Sequence, residues 1–366
     1  MSLQEEIEAA SADIHTDAYA MSIGEIINLY RDEELVIRPA FQRLFRWNPY
    51  RKSRFIESIL LGIPIPSIFV SQREDGIWEV VDGLQRLSTI LEFVGDLKEG
   101  GVLKEPSVLV GTDYLPDLEG RTYEVGACTL DSAQRIAFKR SKLDIKIVKE
   151  AATATTKYDL FDRLNSGGAN LSDQEFRNSL IVMTDPTFLD WLEALRLLQS
   201  FQDTVSPSDR QSKEQYDLEL VLRFLTLTNR TEEALTQFKD LGKLLTDSAV
   251  EYAEDQAFDR ATQETMFRRT FEVLKRLEAG NAFRRYEVAR DRFLGKFSVS
   301  AFEVVSVGVA KHIDVWEQAS ADQLRAKIGS VWSNPTFQQY GGGGVNPTTR
   351  VPRSVALARS LFAAVD

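Results

Sequence analysis

Residues 77–95 read IWEVVDGLQRLSTILEFVG, and this stretch decides the fold of the N-terminal half. Ile77 to Val81 is mostly apolar and is predicted to be a short buried strand, and apolar residues at helical spacing follow from Leu87 to Val94. A tight turn, Asp82 to Arg86, joins the predicted strand to the predicted helix. Free backbone N–H groups and the helix dipole favour an anion at such a turn. A plain strand-to-helix turn with Asp82 as the N-cap accounts for the same residues, so both interpretations stay open.

The side chains of this turn suit a phosphate ligand. Gly83 lets a ligand approach the backbone, and Arg86 can form a forked contact with a phosphate. Asp82 fits beside a phosphate only if it binds a metal ion, a ribose hydroxyl or a water. We therefore expect Arg86→Ala to weaken the binding of such a ligand without unfolding the protein.

The composition is that of a soluble globular protein. The chain has 366 residues, of which 43% are hydrophobic and 27% charged, and its net charge is −11. This charge argues against a protein that coats nucleic acid, although it allows a local basic patch. Cys128 is the only cysteine, which excludes an internal disulfide and a cysteine-based zinc site and predicts a cytoplasmic location. The sequence has no apolar run long enough to span a membrane.

One interval, residues 38–54, is strongly basic and has no acidic residue. Its cationic side chains are Arg38, Arg43, Arg46, Arg51, Lys52 and Arg54, with Phe41, Phe45 and Trp47 interleaved. This pattern predicts an anion site for nucleotide phosphates or for a DNA backbone. The alternative is that Arg51, Lys52 and Arg54 form the solvated face of a helix that starts at Asn48-Pro49. Arg43 lies in a loop rich in proline and aromatic residues, which favours a functional role for it.

A second polar motif, residues 161–180, reads FDRLNSGGANLSDQEFRNSL. One helix is predicted to end near Asn165, and Ser172 with Glu175 has the spacing of a capping box for the next helix. A helix-loop-helix corner accounts for this pattern. Asn165, Glu175 and Arg177 are nevertheless more polar than such a corner needs, so they are candidate functional residues.

The patterning predicts three parts in the chain. Residues 1–21 are polar and acidic and are predicted to be a leader. Residues 22–153 mix strand and helix patterns, whereas residues 154–366 show helical periodicity. The predicted fold class is therefore an α+β domain followed by a mainly helical domain.

Several motifs in sequence order resemble the N-terminal domain of GmrSD-type restriction proteins. They are Pro39-Ala40-Phe41-Gln42-Arg43 with Trp47, the Gly62-Ile63-Pro64-Ile65-Pro66 link, the Asp82-Gly83-Leu84-Gln85-Arg86 turn and the block from Asn165 to Asn178. The resemblance implies a fold similar to those of ParB and sulfiredoxin. It also implies nucleotide binding and hydrolysis, and a role in defence against phage or modified DNA. The family's motif usually has glutamine where this chain has Leu84, so only the backbone N–H of Leu84 could serve a nucleotide.

The resemblance also implies roles for single residues. The implied nucleotide-binding residues are Gln42, Arg43, Gly83, Leu84 and Arg86, and the implied catalytic residues are Asp82, Gln85 and Arg86. Arg43 and Arg86 would hold the phosphates of a nucleoside triphosphate, and Gln85 would orient a water molecule. Asp82 would bind Mg²⁺ or act as a base. We predict that the two motifs, about forty residues apart, converge on one pocket.

Two other functions stay open at this point. A ParB-like DNA-binding module without enzymatic activity is favoured by the basic interval and opposed by the net charge. A nuclease would need a catalytic histidine, but His15 lies in the predicted leader and His312 lies among apolar helical residues. We therefore expect the partners to be a nucleoside triphosphate, DNA as a second candidate, and a separate nuclease or effector chain that cuts the DNA.

Overall fold

The structure is a computed structural model that describes residues 16–37, 47–73, 75–99, 101–148, 173–205, 215–277, 280–287, 290, 292–342 and 344–364. The chain forms two compact units, Met1–Leu171 and Ser172–Asp366. The first unit has mixed α and β structure and the second is mainly helical, as the sequence predicts. The predicted domain boundary between residues 153 and 154 lies outside the described residues and stays a prediction.

The first unit contains the strand, turn and helix on which the candidate site depends. Its elements are β1 (Thr16–Ser22), α1 (Ile23–Arg31), β2 (Leu35–Val36), α2 (Pro49–Leu61), β3 (Ile68–Gln72), β4 (Trp78–Asp82), α3 (Leu84–Val94), β5 (Lys98–Glu99), β6 (Val102–Leu103), α4 (Ser132–Arg140) and β7 (Lys142–Val148). A five-stranded sheet has the order β1-β7-β3-β4-β2. Neighbouring strands alternate between antiparallel and parallel pairing along that order, so the sheet is mixed.

Local sequence signals fix the ends of these helices. The Ser22 hydroxyl accepts a hydrogen bond from the backbone N–H of Glu25 and begins α1. The Asn48 side chain accepts a hydrogen bond from the backbone N–H of Arg51 and begins α2, where Pro49 occupies the first helical position. Gly62 ends α2 in the left-handed conformation, with φ 68°. The helix start predicted at Asn48-Pro49 is confirmed.

The predicted leader, residues 1–21, is wrong for residues 16–21, which form most of β1. This strand pairs antiparallel with β7 from Thr16 opposite Val148 to Ser22 opposite Lys142. Its sequence, TDAYAMS, has no alternating apolar face, and Tyr19 is half exposed. Backbone hydrogen bonds to a strand more than a hundred residues away hold β1 in place, which a local pattern does not reveal.

The second unit is built from helices joined by short connections. Its elements are α5 (Asp173–Thr184), α6 (Pro186–Arg196), α7 (Gln199–Thr204), α8 (Tyr216–Asn229), α9 (Glu232–Gln237), α10 (Leu241–Glu254), α11 (Arg260–Leu274), β8 (Arg285–Glu287), β9 (Arg292–Leu294), α12 (Val299–Lys311), α13 (Ile313–Trp316), α14 (Ala321–Ser333), α15 (Pro335–Tyr340) and α16 (Pro347–Leu361). The hairpin formed by β8 and β9 departs from the purely helical pattern that the sequence predicts for this region.

A ladder of alternating charges crosses the core of the second unit. Arg177 donates to Glu219 at 3.0 Å, and Arg223 bridges Glu219 at 2.7 Å and Glu303 at 2.6 Å. Arg350 completes the ladder with a 3.0 Å contact to Glu303. Burial alone would raise the pKa of Glu219, but Arg223 and Arg177 outweigh it and hold that pKa below its ordinary value. This arginine–glutamate ladder ties α5, α8, α12 and α16 together.

Candidate functional site

The turn between β4 and α3 has an unusual helix start. Gly83 is the N-cap of α3, with φ 94°, and no side chain caps the helix. The first N–H groups of an α-helix have no partner inside the helix. Asp82 is therefore not the N-cap, contrary to one interpretation of the sequence, because its carboxylate is bonded to Arg86 instead. The backbone N–H groups that follow Gly83 are left for another acceptor.

Glycine is required at position 83 for close packing on the sheet, whereas the sequence suggests that it makes room for a ligand. A Cβ atom at this position would lie 2.8 Å from Cγ1 of Ile68 in β3. The positive φ angle also disfavours any other residue. The room beside the Gly83 Cα atom is thus filled by Ile68, so glycine here serves close packing of the turn on the sheet. The Leu84 side chain likewise points into the core and is 8% exposed.

Arg86 is held inside the first unit. Its side chain is buried, with a relative exposure of 7%. The guanidinium donates to the carbonyl of Pro66, to the carbonyl of Ser67 at 2.9 Å and to Oδ2 of Asp82 at 2.8 Å. These bonds fix the turn against the chain that enters β3. They assign Arg86 a positioning role, whereas the sequence alone suggests direct contact with a phosphate.

Gln85 connects the turn to the basic interval. Its Oε1 atom accepts a hydrogen bond from the backbone N–H of Trp47 at 3.0 Å. Its Nε2 atom is buried and has no hydrogen-bond partner in the part of the chain that the structure describes. A donor that is buried without a partner is costly, so a ligand or water that accepts from Nε2 would be favourable.

Trp47 directly follows the segment that carries the other predicted site residues. Arg38, Gln42, Arg43 and Arg46 lie in residues 38–46, outside the described residues. Trp47 itself is anchored on Gln85, so the residue that follows this segment in the sequence lies at the turn. The predicted convergence of Gln42 and Arg43 with Asp82 and Gln85 stays a prediction, and this contact supports it.

The cations of α2 have different surroundings. Lys52 forms an ion pair with Glu92 of α3, which also binds Lys104 at 3.3 Å. Lys52 therefore already has an acidic partner within the fold, and its assignment to DNA or phosphate stays a prediction. The guanidinium of Arg51 lies over the ring of Trp47, 4.7 Å from its centre, beside the candidate site.

Arg54 lies further along the same helix. Its guanidinium is 6.0 Å from the centre of the Tyr50 ring, and the Arg54 side chain is exposed.

Glu92, the partner of Lys52, was not among the predicted site residues. It is the only acidic residue of α3, and this is the signal that could have identified it.

The second polar motif is described only from Asp173 onward. Asn165 lies outside the described residues, and Glu175 is part of α5. Arg177 is 2% exposed, donates to Oε1 of Gln174 at 2.7 Å and belongs to the arginine–glutamate ladder. The polarity of this motif thus has a structural explanation at Arg177, inside the second unit.

The described residues also bear on a metal site, on His312 and Cys128, and on membrane-spanning helices. Within the described ranges, no group of three or more histidine, cysteine, aspartate or glutamate side chains is placed to hold a metal ion. Nε2 of His312 lies 2.9 Å from the carbonyl oxygen of Arg359, as expected of a satisfied histidine. Cys128 is free and exposed. None of the helices described here is both long and apolar enough to cross a membrane.

Comparison with known proteins agrees with the resemblance in the sequence. Residues 23–182 match the family model described as the GmrSD restriction endonuclease N-terminal domain. The match is somewhat less than half of the chain, begins at α1 and ends within α5. No curated protein matches the chain, and no solved structure does. The likeness to ParB and sulfiredoxin therefore stays a prediction.

Proposed function

We propose that this chain, whose residues 23–182 form a GmrSD-type N-terminal domain, is a nucleotide-binding and nucleotide-hydrolysing switch of a restriction system. The observation that carries the proposal is the hydrogen bond from the Trp47 N–H to Gln85. It brings Trp47, in the middle of the basic interval, to a helix start that no side chain caps. The guanidinium of Arg51, which lies over the Trp47 ring, and the uncapped N–H groups would then serve the same phosphate.

In the proposed site, backbone N–H groups and cationic side chains bind the phosphates, and Arg86 positions the turn. The backbone N–H groups of Leu84 and Gln85 receive a phosphate at the start of α3, and Arg43 and Arg51 add positive charge. Arg86 holds the turn in shape through its bonds to Pro66, Ser67 and Asp82. Phosphoryl transfer depends mostly on such positioning and on neutralising charge.

Asp82 and Gln85 are the groups proposed to act on the reaction. The Asp82 side chain is 27% exposed, so one face of its carboxylate is open to a ligand. Mg²⁺ commonly takes one or two protein carboxylates and completes its shell with phosphate oxygens and water, which suits a single aspartate here. The unpartnered Nε2 of Gln85 is the donor that would orient a phosphate oxygen or a water.

The proposal predicts that Asp82→Asn lowers the rate of nucleoside triphosphate hydrolysis by about 100-fold, the scale of losing a metal ligand or a general base. The fold should be retained, because the asparagine oxygen can still accept from Arg86. Phosphate release by the purified chain is measured with each of the four nucleoside triphosphates and Mg²⁺. Asp75→Asn is the matched control, since Asp75 is an exposed turn residue of the same unit that pairs with Arg73.

Equal hydrolysis rates for the Asp82→Asn variant and the Asp75→Asn variant would contradict the proposed role of Asp82 as a metal ligand or base. The absence of any hydrolysis by the unmodified chain would leave a binding module without enzymatic activity. We further propose that DNA cleavage in the system is performed by a separate nuclease or effector chain, since His312, the histidine that the structure describes, is bonded to a backbone carbonyl.

A further inference from the structure

The hairpin β8–β9 is an isolated two-stranded ribbon in the helical unit. It pairs Arg285 with Leu294, Tyr286 with Phe293 and Glu287 with Arg292. Residues 284–296 carry five basic side chains and two acidic ones, in a chain whose net charge is −11. This local reversal of charge is not used by the nucleotide site, which lies in the other unit.

The two faces of the ribbon differ in character. Successive side chains of a strand alternate between faces, so Tyr286 and Phe293 share one face. A Cβ atom at Gly329 of α14 would lie 2.8 Å from the Tyr286 ring, so this aromatic face packs closely on α14. Arg285, Glu287, Arg292 and Leu294 therefore share the opposite face, on which the two arginines are exposed and Glu287 and Leu294 are half-buried. The ribbon is anchored through its aromatic side and presents arginines to solvent.

These cations are largely free of acidic partners. Among the described residues, Arg285, Arg292 and Lys296 form no ion pair with an acidic side chain. Arg290, near the tip, reaches Glu287 at 3.4 Å, with 61% of its side chain exposed. Elsewhere in this unit, arginines such as Arg196, Arg223 and Arg269 are each paired with two carboxylates.

We propose that the β8–β9 ribbon is a contact surface for the phosphate backbone of duplex DNA. A two-stranded ribbon has the width that the major groove of B-DNA accepts, and unpaired arginines on its outer face match the charge of the flanking phosphates. In a chain of net charge −11, attraction of a polyanion acts through local basic surfaces, of which this ribbon is one and residues 38–54 are another. The proposal goes beyond the nucleotide-binding function and does not depend on it.

The test is the affinity of the full chain for a fluorescent 30-base-pair duplex, measured by anisotropy at several salt concentrations without nucleotide. The variant Arg285→Ala/Arg292→Ala/Lys296→Ala is expected to bind about 10- to 100-fold more weakly near 0.1 M salt. Its slope of log K against log salt should be smaller by about three, close to one per lost phosphate contact. Arg285→Lys/Arg292→Lys should keep most of the affinity, because a phosphate contact mainly needs the charge.

The matched control is Lys239→Ala/Lys243→Ala/Arg268→Ala, which removes three exposed cations from the same unit. The proposal is overturned if this control loses as much affinity as the ribbon variant, or if the ribbon variant binds DNA like the unmodified chain. Equal affinity for an RNA duplex of the same sequence would overturn the assignment to DNA. Nucleotide hydrolysis by the ribbon variant is measured in parallel and should be unchanged, so that failure of the nucleotide proposal is recognised separately.

Discussion

Replacing Glu303 by alanine is expected to destabilise the helical unit by about 3–5 kcal/mol. Glu303 is fully buried and accepts from Nη1 of Arg223 and from both Nε and Nη2 of Arg350. Removing this carboxylate leaves two buried guanidinium groups without their shared partner. The free energy cost of burying an unpaired charge exceeds the net stabilisation that the ion pair provides, which explains the size of the effect.

The measurement is the melting temperature together with hydrogen exchange of α8, α12 and α16, the helices joined by the ladder. A loss of this size should lower the melting temperature by roughly 10 °C for a unit of this length. The matched control is Glu232→Ala, because Glu232 also pairs with an arginine of α16, Arg359, but its side chain is 64% exposed. That change should cost at most about 1 kcal/mol. Similar losses for the two variants would contradict the argument from burial.

Replacing Arg86 by alanine is expected to destabilise the first unit by about 2–4 kcal/mol. The sequence alone predicts a loss of ligand affinity in a folded protein, and the structure changes that expectation. The substitution leaves the carbonyls of Pro66 and Ser67 and the carboxylate of Asp82 without a shared donor. Arg86→Lys should recover only part of the loss, since an ammonium cannot reproduce the fork of the guanidinium.

Stability of the Arg86 variants is compared with that of Arg73→Ala. Arg73 also pairs with an aspartate of the first unit, but both side chains are nearly half exposed, so a change of about 0.5 kcal/mol is expected. Loss of exchange protection should concentrate in β3, β4 and the start of α3. An Arg86→Ala variant as stable as Arg73→Ala, but with weaker nucleotide binding, would restore the direct role that the sequence suggests.

The β4–α3 turn was predictable because its signals are local. An apolar strand, a glycine and an apolar helical repeat follow one another within nineteen residues, and the caps Ser22, Asn48 and Gly62 are equally local. The partners of the site residues were not predictable in the same way. Lys52 meets Glu92 forty residues later, and Arg86 binds backbone carbonyls, which a pattern of side chains does not encode.

The elements that the sequence missed lack a periodic apolar face. Strand β1 depends on backbone pairing with the distant β7, and the three-residue strands β8 and β9 carry charged residues on their outer face. Polarity at Arg177 was a real signal, but its explanation is a buried ion pair with Glu219. A charged residue in a short motif can therefore mark either a ligand site or a buried ladder, and only its partners distinguish the two.

The most direct test of the nucleotide site is isothermal titration of the purified chain with each of the four nucleoside triphosphates, with and without Mg²⁺. We expect saturable binding of at least one nucleotide to a single site per chain. We also expect that Asp82→Asn reduces the gain in affinity from Mg²⁺, since Asp82 is proposed to share the ion with the phosphates. No saturable binding of any of the four nucleotides, in the presence of Mg²⁺, would contradict the proposed nucleotide site.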